Sequence, residues 1–364
     1  MIRKGLLLLL PILGLYWNTS YGQYLKPGFD PKEYADMLAI CFLTADTPWT
    51  KKIPPPDDAK LIYRSKETGL HNRWDLWTYH DKVAVISIRG TVGNKESWLE
   101  NFHAGMIPAI GNFRLNDSTN FTYRFAKDSN AYVHAGWTLA VASMAGDIVA
   151  KIKDCYRQGI HEFIIAGHSQ GGAITFLLRS YLEYIDDPAF PKDIRIKTYS
   201  SAAPKPGNLN YAYDYDFITR NGWGFRIVNT RDWVPETPFS LQTTRDFSNP
   251  NPFMYIKTSL RKQSLPARIV VGYMYGRLDN SSKRASRRMQ RVLGKRLYSI
   301  VKKTLPEYKL SPLMKSHNYT PAGIPVILAP TADYDTKFPF DGKNIFVHHA
   351  YDPYRYLLEK DYLN

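Results

Sequence analysis

Gly167-His168-Ser169-Gln170-Gly171 is the stretch of this 364-residue sequence with the most chemistry in it. Residues 162–166 ahead of it read as a buried strand, and 170–184 behind it as a helix. A serine at such a strand-to-helix turn is pressed into a strained backbone conformation that lifts its hydroxyl above the sheet edge. Gly167 and Gly171, two residues to either side, leave room for the crowded turn, with His168 completing it. The N-terminus of the following helix favours negative charge beside it. Nucleophilic acyl transfer asks this of its serine; a Gly-rich packing turn is the plain alternative.

A hydroxyl nucleophile needs a histidine base and an acid to orient it, and behind such a turn the acid comes first in the chain. Residues 225–229 read as a strand, and Asp232 follows before Trp233-Val234-Pro235 turns the chain. Asp214 and Asp216 are rivals but fall in the helical stretch 208–217, and a solvated turn carboxylate is the plain reading of Asp232. Beyond it the only histidines are His317, His348 and His349. His317 precedes a strand, whereas the pair is expected to end a strand over 344–347 and lead into a helix over 354–363. His349 is the expected base and His348 the alternative, against a capping or surface role for both. Adjacent histidines diverge, so with Asp352 they make a poor metal site, and no metal or cofactor is expected. The oxyanion formed on attack needs donors. Gln170 N–H, directly after the serine, is one; Thr91, in the loop after an earlier strand, offers its N–H and its hydroxyl.

These groups need an open sheet beneath them. Residues 83–88 are apolar without a break, as in a strand buried on both faces of a parallel sheet. A helix over 31–42 and short strands over 61–64 and 73–79 precede it. A long helical pattern over 136–156 follows, then strands over 194–200 and 325–328 flanking that at 225–229. The alternation predicts an α/β protein with a mostly parallel, doubly wound sheet. With 44% hydrophobic and 14% aromatic residues the chain is not mainly disordered, and no repeat supports collagen, coiled coil or solenoid. Two cysteines exclude a disulfide scaffold and a four-cysteine zinc site.

Arg3 and Lys4 ahead of an apolar run over 5–15, with small residues near Gly22, read as a signal peptide over 1–22; an uncleaved anchor is the rival. One domain is expected over 23–364, exported to a secreted, periplasmic or cell-surface location. There Cys41 and Cys155 could be bridged or stay as two buried thiols. Net charge is +15, and residues 261–310 hold 14 Lys or Arg against Asp279 and Glu307. This basic segment lies in an expected insertion over about 240–316. Ala285, Met289, Val292, Leu293, Leu297, Ile300 and Val301 recur there at helical spacing behind a Ser282 cap, with Lys283, Arg287, Arg288 and Arg291 opposite. The plain reading is a packed face and a solvated one. The functional reading is peripheral contact of residues 283–303 with an anionic membrane surface. A nucleic-acid role is not expected, since the segment lacks an aromatic stacking pattern.

Five motifs in order resemble the class 3, fungal lipase-like branch of the α/β-hydrolases. Arg89-Gly90-Thr91 followed by Ser97-Trp98-Leu99-Glu100-Asn101 is similar to its oxyanion loop and short lid helix, and Val133-His134-Ala135-Gly136-Trp137 to the start of the helix before the nucleophile strand. Gly167 to Gly172, Ala203-Pro204-Lys205-Pro206-Gly207-Asn208 and Arg226 to Pro235 are similar to the elbow, a following loop and the acid segment. The resemblance covers about 80–240, and Pro321 departs from a His often found there. It implies an α/β-hydrolase fold with Ser169 as nucleophile, Asp232 as acid, and Thr91 with Gln170 as oxyanion hole. His349 matches the family's final His by its place before Tyr354 and Leu358. The implied activity is hydrolysis of lipid esters through an acyl-enzyme, as a triacylglycerol lipase or esterase. A phospholipase A-type esterase, a serine peptidase or acyltransferase, and a silent lipid-binding protein are the alternatives.

Overall fold

The computed structural model describes residues 23–363 except Trp49, Met254, Lys262 and the side chains of Lys257 and Ser259; the expected signal peptide lies outside the described residues. α1 (Pro31–Ala45) starts at Asp30, whose carboxylate accepts from the N–H groups of Lys32 and Glu33. Three antiparallel strands follow, β1 (Ala59–Arg64), β2 (Trp74–Tyr79) and β3 (Val83–Ile88), then the short helix α2 (Lys95–Phe102). Next come β4 (Met106–Pro108), the hairpin of β5 (Ile110–Asn116) and β6 (Thr119–Arg124), and β7 (Tyr132–His134), which pairs back onto β4. α3 (Ala135–Arg157), β8 (Glu162–His168), α4 (Gln170–Tyr184), β9 (Arg195–Ser201), α5 (Leu209–Ile218) and β10 (Gly224–Asn229) form the alternating core. α6 (Ile256–Leu260), α7 (Leu265–Met289) and α8 (Leu297–Thr304) separate it from β11 (Ile324–Leu328), α9 (Tyr334–Lys337) and α10 (Tyr351–Leu358).

The seven-stranded sheet runs β1-β2-β3-β8-β9-β10-β11, parallel from β3 onward. β3 and β8 are fully buried along their length, which is why 83–88 reads as an unbroken apolar run and β8 has an apolar centre over 163–166. Their alternate residues feed two cores. Ile86, Phe163 and Ile165 pack with α3, α4 and α5 on one face; Val85, Ile164 and Ala166 pack with α1 and α10 on the other. Ile88 pairs with Gly167, so the loop bearing Thr91 and the serine turn leave the sheet side by side.

Several expectations need correction. No strand forms over 344–347. Asp341 accepts from the N–H groups of Lys343 and Asn344, and Asn344 from that of Phe346, so side chains take the donors a strand would use; Val347–His349 is a single 3₁₀ turn. Ser282 is no cap: it lies inside α7 and its hydroxyl donates to the Asp279 carbonyl, because nothing breaks the helix after Pro266. Between α7 and α8 a π-helical stretch, Gln290–Arg296, shifts the phase, so the deepest residues are Ser286, Gln290, Gly294 and, alone of the expected apolar stripe, Val301; Ile300 of that stripe is exposed and the rest are half-buried. Gly294 presses against Gly105, where a Cβ on Gly105 would stand 2.7 Å from the Gly294 Cα. The small strands β4 to β7 escaped the sequence reading, β4 and β7 being three residues each and β5 and β6 rich in Asn and Thr. Cys41 and Cys155 are unbridged, buried thiols, and burial pushes that of Cys41 up to about 12.

Candidate active site

The turn after β8 is strained as its sequence demands. Ser169 has φ 62° and ψ −129°, and its N–H donates to Ser201 O on β9 at 2.9 Å. A Cβ on Gly167 would lie 2.3 Å from the Gly171 carbonyl, and one on Gly171 2.2 Å from the Ile88 carbonyl oxygen, so neither position takes a side chain. Ser169 precedes α4 without capping it, which leaves its hydroxyl outside the helix's own bonding.

Asp232, just past β10, is buried and its carboxylate is ringed by donors. Oδ2 accepts from His349 Nδ1 at 2.6 Å and from Tyr354 Oη at 2.8 Å, and Oδ1 from the Val234 N–H at 3.0 Å. His349 and Ser169 line one cavity of about 420 Å³, walled by Phe42, Trp98, Phe102, Trp233, Leu293 and Phe346. An imidazole held through Nδ1 by a buried carboxylate, beside a strained serine in an apolar cavity, has the parts of a proton-relaying nucleophile.

The neighbouring candidates are placed elsewhere. His348 is not part of the cavity wall; its Nδ1 lies 3.0 Å from Tyr334 Oη and its carbonyl accepts from Asn229 Nδ2. Asp214 takes the Lys127 N–H and the Tyr184 hydroxyl, and Asp216 the Gly323 N–H, both on α5. His317 is fully buried, and burial reinforced by the Lys205 charge lowers its imidazole to about 4.

His168 has a part the motif alone did not reveal. Its Nε2 lies 2.9 Å from the His349 carbonyl and its Nδ1 3.1 Å from Ser201 Oγ, which in turn meets Tyr34 Oη at 2.7 Å. Burial and the nearby His349 hold this imidazole neutral well below its ordinary value. A neutral ring with Nε2–H donating fits those partners and anchors the backbone of His349 from below. Tyr354 was likewise unread as a partner of Asp232; the helical spacing behind His349 was its only trace.

Thr91 and Gln170 meet as expected, with a difference. The Thr91 hydroxyl donates to Gln170 Oε1 at 2.7 Å, and Asn101 Nδ2 donates to Thr91 Oγ1 at 2.8 Å. The hydroxyl is thus engaged with Gln170 and Asn101. Gln170 Nε2 donates to Glu100, which the sequence reading had only as part of the lid motif. Its i+3 spacing from Ser97 marks the buried face of α2. Trp98 and Phe102 stack at 5.9 Å on the cavity side, Phe102 half exposed at its mouth.

Residues 85–242 match the family model for class 3 lipases. A secreted mono- and diacylglycerol lipase of Fusarium solani is 27% identical over 164 residues, 43% of this chain and 40% of that one. A second, from Penicillium cyclopium, is 32% identical over 93 residues, 25% of this chain and 28% of that one. The chain therefore spans less than half the length of these relatives. A solved triacylglyceride lipase of Rhizomucor miehei superposes with a TM-score of 0.41 at 18% identity, over 58% of this chain and 77% of that one. Over residues 85–242, on its mostly parallel sheet, this chain is thus similar to the class 3 lipases.

Proposed function

We propose that the chain hydrolyses carboxylic esters of lipids through an acyl-enzyme. The observation that carries this reading is Ser169 and the Asp232-bound His349 opening onto one apolar cavity. His349 Nε2 takes the Ser169 proton as the oxygen attacks the ester carbonyl, and Asp232 stabilises the imidazolium. The N–H groups of Thr91 and Gln170 hold the oxyanion beside the N-terminus of α4. His349 then returns the proton to the leaving alcohol, and water activated by the same imidazole releases the acid. Named lipase relatives support a lipid ester as substrate, and the aromatic cavity wall suits a long acyl chain.

The reading extends to a single exported domain, cleaved near Gly22, and to an anionic lipid surface met through residues 283–303. Arg284, Arg287, Arg288 and Arg291 are exposed, and α7 continues from them into a turn-exposed apolar arm bearing Leu265, Ile269, Tyr273 and Leu278. Leu293, in the same helical rod, borders the cavity. Among the described residues no helix is long and apolar enough to cross a membrane.

The test is a screen of p-nitrophenyl esters, acylglycerols and phospholipids with the purified mature chain. Ser169→Ala should lower kcat by up to about 10⁶ and abolish fluorophosphonate labelling. Turnover above about a hundredth of the parent, in a preparation free of other esterases, would sink the assignment.

A further inference from the structure

Glu100 is fully buried beneath the oxyanion loop, and its carboxylate is divided between two side-chain amides. Oε1 accepts from Asn72 Nδ2 at 2.8 Å and Oε2 from Gln170 Nε2. The Gln170 amide must then turn its oxygen the other way, where it accepts the Thr91 hydroxyl hydrogen at 2.7 Å. Asn101 is oriented independently. The Trp137 indole, which can only donate, takes Asn101 Oδ1 at 3.0 Å, so Asn101 Nδ2 has to face Thr91 Oγ1. A threonine hydroxyl has one hydrogen. Spent on Gln170, it is lost to an oxyanion in the cavity.

The same atoms have a second arrangement, one proton away. A proton taken from solvent onto Glu100 Oε2 turns that oxygen into a donor and leaves Oε1 to Asn72. The Gln170 amide rotates by half a turn, accepts from the new O–H and donates its NH₂ to Thr91 Oγ1. Thr91 then accepts from Asn101 and Gln170, and its hydrogen is released toward the oxyanion. Asn101 Nδ2 also reaches Gln170 Oε1 at 3.4 Å, a long contact that the rotation gives up. Asn101 Nδ2 keeps Thr91 Oγ1, and each of the other amide and carboxyl atoms keeps a partner in both arrangements, so neither leaves an orphaned group.

We propose that Glu100 is a positioning residue whose protonation decides, through the Gln170 amide, whether the Thr91 hydroxyl joins the two N–H groups of the oxyanion hole. This rests on the ester-hydrolase reading above. The switch lies in a useful range, because burial raises the Glu100 carboxyl to about 8 against the two amide donors that lower it. The surroundings supply little competing charge. His103, closing α2, and His134, at the start of α3, are both held neutral by burial, and Tyr308, after α8, is kept protonated mainly by burial. Arg89, on the Asn72 side, is bound to Glu67 and the His71 carbonyl.

The experiment is kcat and KM for a soluble ester against pH, with E100Q, T91V and T91S. The parent should lose about 10- to 100-fold in kcat as pH rises through about 8, with KM little changed. The amide of E100Q can satisfy Asn72 and the rotated Gln170 at any pH, so it should keep the neutral-pH kcat and lose the alkaline fall. T91V should be slow throughout and lack the fall, which T91S restores. Difference infrared spectroscopy reads the proton without turnover: a buried carboxylic-acid band should be present near about pH 6, absent near about pH 10 and missing in E100Q. An alkaline fall unchanged in E100Q or T91V, or no such band, overturns the proposal. Failure of Ser169 to label with fluorophosphonate would instead count against the hydrolase reading.

Discussion

Replacing Asp232 by asparagine should cost far more than the loss of one charge, because the structure dictates which way the new amide points. Oδ1 accepts the Val234 N–H at 3.0 Å, a backbone donor that cannot rotate away. The substituted amide will keep its oxygen there and present its NH₂ to His349 and Tyr354, which both donate to Oδ2 in the parent. Tyr354 can turn its hydroxyl to accept. His349 can accept only by moving its proton to Nε2, and an Nε2–H imidazole cannot take the Ser169 proton. A fall of about 10⁴ in kcat, close to 5 kcal/mol of lost transition-state stabilisation, is expected with KM nearly unchanged. Initial rates on a soluble p-nitrophenyl ester measure it, with circular dichroism to show that the near-isosteric variant folds. A loss below about tenfold in folded protein would refute the tautomer argument, since the base would then be working without its orienting carboxylate.

His349→Ala should abolish turnover while His348→Ala, whose ring meets Tyr334 instead of the cavity, should retain most of it; the reverse result would move the base by one residue. Glu100 also links stability to pH. Its carboxyl is near the ordinary glutamate value when unfolded and rises to about 8 when folded, so the stability it contributes is present at low pH and lost as pH rises through about 8. Urea midpoints at successive pH values should show a loss of a few kcal/mol across that window, flattened in E100Q; parallel slopes for the two proteins would contradict it. Cosedimentation with anionic vesicles should weaken steeply from low to physiological salt, and together Arg287→Glu, Arg288→Glu and Arg291→Glu should abolish it while soluble-ester turnover persists. Binding indifferent to both would reduce the basic face to a solvated surface.

What could be read in advance followed from how locally each feature is specified. β3 and β8 are buried on both faces, so 83–88 announces itself as an unbroken apolar run and β8 by its apolar centre, and the Ser169 turn lies between two glycines that sterics alone require. The caps at Asp30, Asn94 and Asn208 are as local, through side chains only a few residues away, but the sequence reading passed over them and named Ser282 instead. The strand expected over 344–347 failed for an equally local reason, overlooked because Asp341 and Asn344 compete for backbone donors in a stretch of apolar residues. The buried face of the helical segment over 283–303 was misread in part because its packing is set from outside: Gly294 sits against Gly105 and Leu313, and a residue without a side chain leaves no mark in an apolar stripe.

The least legible part of the site is the layer beneath the reacting atoms. Ser169, Asp232 and His349 could be ranked because each chemical role admits few residue types and each sits at a recognisable chain turn. Gln170, Glu100, Asn72 and His168 work only as pairs across long sequence separations, and an amide or carboxylate in isolation reads as a side chain facing water. Burial changes their meaning. At the protein surface Glu100 would be a solvated carboxylate of no consequence; between Asn72 and Gln170, with no cation to balance it, the carboxylate must share its fate with the hydrogen of a neighbouring hydroxyl. Donor and acceptor counting therefore reaches a level of the site that motif spacing does not, because every buried polar atom must find a partner and each partner found constrains the next.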